Sequence, residues 1–346
     1  MSDVFCLTDK NGNLLQPAVQ ATALAKYSRS PESARDLVSR LTPEEADKFQ
    51  EKWVVSFGHN SVAELATLPL CLEKISIVAS KFFESWQRAG YSEKSTRYQV
   101  FSRDSFVTPP GAPPEMVQVA AKLYDAYDAL YGRMVQRCAK LMGKDDINDP
   151  KVKARAFDNL RYLLPAGTGT NVAIVANMRD FRGMITAARG HTNPEIVELG
   201  NKIYDAVASV APTLVKHTEP DSFELPIVSL VSLRSPAKHM YSSDEYLVSL
   251  YNEHLMPNPD RVLTDFRYTL LDEYKTNWDV FCKHMESRPE HRGVPKIFRR
   301  VRIAFNVRMD YGAFRDLQRH RRCEQYVEPL STSYGYMIPD DILGSS

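Results

Sequence analysis

A chain of 346 residues has the length of about two domains of ~150 residues each. With 44 Lys+Arg against 43 Asp+Glu, a net charge of +1 and 43% hydrophobic residues, it lacks both the basic profile of a dedicated nucleic-acid binder and the apolar-poor profile of a disordered chain. No apolar run approaches the ~18 residues of a membrane span, and MSDVFCLTDK has no basic-then-apolar signal segment. The five cysteines are scattered without a CxxC pair, so neither a disulfide framework nor a metal site is expected. These features describe a soluble, cytoplasmic protein without nucleic-acid or membrane partners.

In chain order, the first strand signal is the alternation of Leu68, Leu70 and Leu72 with Thr67, Cys71 and Glu73. Pro69 inside it demotes the strand to a sheet edge. It runs into helical spacing at Ile75, Val78, Phe82 and Trp86. After the extended connector Thr108 to Pro114 comes the strongest helical period, residues 115 to 142. Its apolar stripe is Met116, Val119, Ala120, Leu123, Tyr127, Leu130, Tyr131 and Met134, with Pro113 and Pro114 at its start and Gly143 at its stop. A polar stretch, Lys144 to Lys153, precedes helical spacing from Ala154, a break at Pro165, the turn AGTGT, and helical spacing again from Val172 through Val210. The polar, turn-rich His217 to Pro226 is the clearest boundary. A second alternation, Val301, Ile303, Phe305 and Val307, also leads into a helix, Asp310 to about Arg321. Strand, tight junction, helix and polar motif thus occur twice, the pattern of an internal duplication.

Four short motifs carry chemistry. GHNSVAE holds His59, Ser61 and Glu64; Ser61 and Glu64 also fit the S-x-x-E capping box. YSEKSTRYQ, without helical or strand period, sets Ser95, Thr96 and Arg97 in a row behind Glu93. Hydroxyls, backbone N–H groups and a guanidinium form a phosphate cradle, or an ordinary solvated loop. RYLLPAGTGT places Arg161 at a helix end, and NMRDFRG offers Asn177 and Arg179. QRHRRCEQY concentrates Arg319, His320 and Arg321, a density of planar donors suited to a diphosphate or dinucleotide, or else a solvated face. No GxGxxG, GxxxxGK[ST] or GxSxG occurs, and no catalytic nucleophile is assigned.

The order GHxSxxE, strand and helix, ExSxRY, RxxLP, NxR resembles the flavin-dependent thymidylate synthase family, over residues 58 to 200. The resemblance implies an α+β fold in homo-oligomers whose sites are shared between subunits, with FAD, NADPH, methylenetetrahydrofolate and dUMP as ligands and dTMP as product. By position in the motifs, it implies that His59, Ser61, Glu64, Asn177 and Arg179 contact FAD. Glu93, Ser95, Arg97 and Arg161 would hold dUMP, joined by Arg189, one residue off the usual spacing.

The family's RHR, which precedes ExSxRY, is here Ser85, Trp86 and Gln87. The triplet stands instead in the second copy as Arg319, His320 and Arg321, where Gly293 occupies the position of a His59 equivalent. Too few residues follow Tyr336 for the second copy's LP and NxR segments. Complementary loss leads us to expect two related repeats, 1–217 and 218–346, whose FAD site is completed by Arg319, His320 and Arg321. The expected activity is reductive methylation of dUMP. Alternatives are an inactive flavin- or nucleotide-binding paralogue and a flavin-dependent methylase of another pyrimidine nucleotide.

Overall fold

The computed structural model describes residues 9, 11, 13–56, 60–220, 248–250, 264, 267, 277–288, 305–321, 323–325, 327–328, 330–332 and 335–343. Caps set the first helices. α1 (Pro17–Tyr27) opens on a proline, and Ser33 accepts from the Asp36 N–H to start α2 (Ala34–Arg40). α3 (Pro43–Gln50) begins with a reciprocal capping box between Thr42 and Glu45. A π-helical turn, Glu51–Ser56, follows, and then the short α4 (Asn60–Ala63).

The sheet has three antiparallel strands. β1 (Thr67–Ser76) and β2 (Gly90–Glu93) flank β3 (Gly169–Asn177). β1 is therefore an edge strand, as Pro69 requires: its missing N–H costs no ladder bond if it faces outward. A bulge between Leu72 and Ile75 puts Lys74 at φ 55°, and Asn171 Oδ1 accepts the Lys74 N–H there at 2.9 Å. β3 corrects the expectation of helix from Val172. Thr170, Val172, Ile174 and Ala176 are buried while Val175 is exposed, so the period is two. Apolar Ala173 and Val175 on the opposite face conceal it in the sequence. The segment read as without period likewise begins as a strand, β2, and only Lys94 onward is loop.

α5 (Ile77–Phe83) ends before Trp86, short of the expected length. α6 (Pro114–Leu141) matches the expected bounds closely, but Met116 and Val119 of its stripe are exposed. The reason is length. α6 has 28 residues and α7 (Pro150–Leu160), packed against it, has 11, or about 42 Å against about 16 Å at 1.5 Å per residue. Tyr127, Met134, Val135 and Cys138 of α6 meet Val152, Ala156 and Phe157 of α7 in one apolar cluster. α8 (Met178–Arg189) and α9 (Pro194–Ala208) cover the sheet, burying Phe181, Met184, Ile185, Ile196 and Ile203 with Val172 and Ile174.

Contacts divide the chain into two units: residues 1–239, 315–332 and 338–346 form one, and 240–314 with 333–337 the other. In the second unit β4 (Val248–Leu250) pairs antiparallel with β5 (Phe305–Val307), and Asn277 caps a helix at Trp278–Glu286. The rest of the expected second strand, 301–304, lies outside the described residues. The helix after it spans Tyr311–Leu317, shorter than expected, so Arg319, His320 and Arg321 lie beyond its end. No helix among the described residues is long and apolar enough to cross a membrane.

Candidate functional site

Glu195, in the first turn of α9, accepts both the Ser76 N–H at 2.7 Å and its hydroxyl at 2.6 Å. Ser76 also caps α5, so this carboxylate fixes where α5 leaves the sheet. α5 then presents Ser80 and Lys81 to Glu93 at the end of β2. Glu93 Oε1 accepts from Ser80 Oγ at 2.7 Å, and Oε2 from Lys81 Nζ at 2.9 Å and Arg315 Nη2 at 3.2 Å. Lys81 also bonds Glu84, and Gln318 Nε2 donates to the Lys81 carbonyl at 2.8 Å. The Lys81, Glu93 and Arg315 side chains are 6, 14 and 11% exposed. Two cations and two carboxylates balance, as burial demands. Burial alone would raise the Glu93 carboxyl, but the Lys81 and Arg315 charges and the Lys81 and Ser80 hydrogen bonds outweigh it and hold it below the ordinary range. Burial, with Glu93 repulsion, pushes Glu84 up.

Beside this network, Arg97 and Arg161 converge on Asp158 of α7. Arg97 Nε and Nη2 donate to Asp158 Oδ2 at 3.1 and 2.8 Å, and its N–H to Ser95 Oγ at 3.2 Å. Arg161, in the turn after α7, has Nη1 3.8 Å from Asp158 Oδ1, while Nη1 and Nη2 meet Asp316 Oδ2 at 3.4 and 3.3 Å. Arg161 Nε, Asp158 Oδ1 and Gln318 Oε1 are buried without a hydrogen-bond partner among the described residues. Orphans of this kind are costly and call for a ligand or water.

A third cluster joins Glu64, Arg88, Arg179, Asp180 and Asn177. Glu64 Oε1 accepts from Arg88 Nη1 at 2.9 Å and Arg179 Nη1 at 2.6 Å; the Arg179 hydrogen bond leads in lowering its pKa. Arg88 Nη2 reaches Asp180 Oδ1 at 2.6 Å. Ser61 lies exposed inside α4 rather than at its cap, so the capping box expected of Ser61 and Glu64 does not form. Asn177 is an N-cap: Oδ1 accepts the Asp180 N–H at 2.9 Å and Nδ2 donates to Asp180 Oδ2 at 2.8 Å.

His59 lies outside the described residues. Arg189 bonds Asn201 Oδ1 at 2.9 Å and Thr218 Oγ1 at 2.9 Å and stacks 4.2 Å over Tyr204. Among the described residues none of these bonds reaches Arg97 or Arg161. Arg319 and His320 are exposed, and Arg321 lies 5.3 Å over the Tyr91 ring in β2. The residues that sequence reasoning missed are Ser80, Lys81, Asp158, Arg315, Asp316 and Gln318. A lysine within the apolar run IVASKFF was the one local signal, because an ammonium there must find a buried partner.

Residues 11–213 match the family described as thymidylate synthase complementing protein. That is more than half of the chain, and the chain belongs to this family. It is 28% identical to a UPF0159 protein of Chlamydia pneumoniae over 99% of its own length and 74% of that relative. It is also 28% identical to the flavin-dependent thymidylate synthase of Geobacter sulfurreducens, over 57% of this chain and 86% of the synthase. A crystal structure of the flavin-dependent thymidylate synthase from Helicobacter pylori, complexed with FAD and dUMP, aligns over 59% of this chain and 95% of that one. Its TM-score is 0.43 and the identity 16%.

Proposed function

We propose that this protein is a flavin-dependent enzyme of reductive methylation, acting at C5 of dUMP to form dTMP. Methylenetetrahydrofolate is the one-carbon donor and NADPH the reductant. The observation that carries this reading is the pair Arg97 and Arg161. Two guanidiniums from separate motifs converge on one carboxylate, and the Arg161 Nε–H has no hydrogen-bond partner among the described residues. That donor set fits a nucleotide phosphate or a uracil carbonyl. For the flavin, the half-exposed Arg179, the exposed Ser61 and the exposed Arg319 and His320 fit a pyrophosphate and a polar ring edge.

Bound FAD, once reduced by NADPH, would supply the hydride that completes the methyl group. The chain's own residues bind and orient. Arg97, Arg161 and Ser95 hold the nucleotide, with Arg189 a further substrate contact in the family pattern. Glu93 acts by fixing Lys81 and Arg315 behind it. His59, Ser61, Glu64, Asn177 and Arg179 face the flavin, completed by Arg319, His320 and Arg321. No protein nucleophile is needed; positioning and electrostatics are the protein's share. We read the chain as two related repeats, 1–217 and 218–346, working as a cytoplasmic homo-oligomer. The match to the Chlamydia pneumoniae relative over nearly the whole chain supports taking both parts as one inherited unit.

Ser85, Trp86 and Gln87 favour a second reading. Trp86 packs 5.5 Å from the Phe82 ring and against Gly183, so an indole fills the place of the motif's histidine. A flavin- or nucleotide-binding paralogue without synthase activity would tolerate that. Purified protein that is yellow and releases tritium from 5-tritiated dUMP supports the synthase. Yellow protein without release supports the paralogue or a methylase of another pyrimidine nucleotide. Colourless protein that FAD does not bind would overturn the synthase and the methylase, and dUMP binding by that protein would leave the nucleotide-binding paralogue.

A further inference from the structure

Arg161 is 13% exposed, and its terminal nitrogens share one oxygen of Asp316 at 3.3 and 3.4 Å. Charge-assisted N–H···O bonds are normally about 2.7–2.9 Å, so this pair is loose, and the Asp316 side chain is 56% exposed. Asp158, on the other flank, is gripped by the Arg97 fork at 2.8 and 3.1 Å. The four groups Arg97, Arg161, Asp158 and Asp316 sum to zero charge. A phosphate monoester entering among them adds about −1.5 to −2, beside two carboxylates in a partly dry setting. One carboxylate must leave, and Asp316 is the one weakly held. Its neighbour Arg315 is anchored on buried Glu93, so Asp316 can swing out while the helix Tyr311–Leu317 stays.

We propose that Asp316 is an electrostatic gate, a carboxylate that occupies Arg161 until a phosphorylated nucleotide displaces it. The proposal rests on reading Arg161 as a nucleotide ligand. It makes Asp316 the residue that sets the affinity for the phosphate: a dianion must displace it from the guanidinium, and an unphosphorylated nucleoside need not. The fraction of molecules with Arg161 released sets the apparent affinity.

Calorimetric titration of the full chain with dUMP and with deoxyuridine tests the gate. Asp316→Asn keeps the shape of this exposed side chain and removes its charge. It should bind dUMP about tenfold more tightly than the unaltered protein, as losing one like charge a few ångströms from the phosphate requires. Deoxyuridine affinity should stay the same, and adding Arg161→Ala should abolish the gain. Unchanged or weaker dUMP binding by Asp316→Asn, with Arg161→Ala still weakening the unaltered protein, overturns the gate and leaves the nucleotide reading standing. Equal tightening for deoxyuridine also overturns the gate. No dUMP binding by the unaltered protein, by Asp316→Asn or by Asp316→Ala removes the nucleotide reading and the gate with it.

Discussion

Glu93 and Arg161 differ in what their surroundings ask of them. Glu93 is surrounded by its own partners, Ser80, Lys81 and Arg315, and removing it leaves two buried cations to one carboxylate, Glu84. Glu93→Ala should therefore lower the unfolding free energy by about 3–5 kcal/mol, read by urea denaturation. Its carboxyl is depressed in the fold, so its contribution is complete above the ordinary glutamate value of 4.5 and is lost as pH falls through the folded value. Glu84, raised in the fold, works with the opposite sign: its contribution is complete below 4.5 and is lost as pH rises through the folded value. Glu93→Gln should then flatten the acid limb of the stability profile; an unchanged limb would assign that limb to other carboxylates. Arg161 instead has a buried N–H with no partner among the described residues. Each charge-assisted bond is worth about 1.5–3 kcal/mol, so Arg161→Ala should weaken dUMP binding at least about tenfold with little change in melting. Equal calorimetric titrations would remove Arg161 from the site.

At the scale of elements, the junction of β3 and α8 turns on Asn177. Its cap should be worth about 1 kcal/mol. Asn177→Ala should lower stability by that amount, measured by thermal unfolding. Flavin retained in this variant would mark Asn177 as a cap only; flavin lost beyond what the stability change explains would add a contact to the cofactor. The segment after the helix Tyr311–Leu317 asks a related question of Arg319 and Arg321. The double variant Arg319→Ala with Arg321→Ala should empty the flavin site while the thermal midpoint stays close to its original value. Arg319 is exposed, and Arg321 makes an aromatic contact to Tyr91. Full FAD occupancy would return the cluster to a solvated surface.

For the whole molecule, the uncovered start of α6 matters most. Met116, Val117 and Val119, within about one turn of the helix, are 41, 40 and 55% exposed, an apolar patch that a second copy could cover. Light scattering across a tenfold range of concentration should give a mass above the 39.3 kDa of one chain. A constant monomer mass would count against the shared-site arrangement.

What the sequence determined by itself was local. The period of residues 115–142 announced α6, and Pro69 announced an edge strand, because a helix stripe and a missing N–H are properties of neighbouring residues. The ordered motifs from Gly58 to Arg179 announced the family. β3 stayed hidden because apolar residues on both its faces erase the alternation that marks a half-buried strand. The tertiary structure decided which charges meet. Arg315 on Glu93, Asp316 on Arg161 and Gln318 on Lys81 join positions more than 150 residues apart. No spacing rule foretells such pairs, because each carboxylate or guanidinium takes whatever counter-charge the packed elements bring to it. The same holds for Arg189, whose motif-like place in the chain gives no sign that Thr218 and Tyr204 surround it. Residue types and their order carry the chemistry; burial, which exists only once the chain has packed, selects the partners.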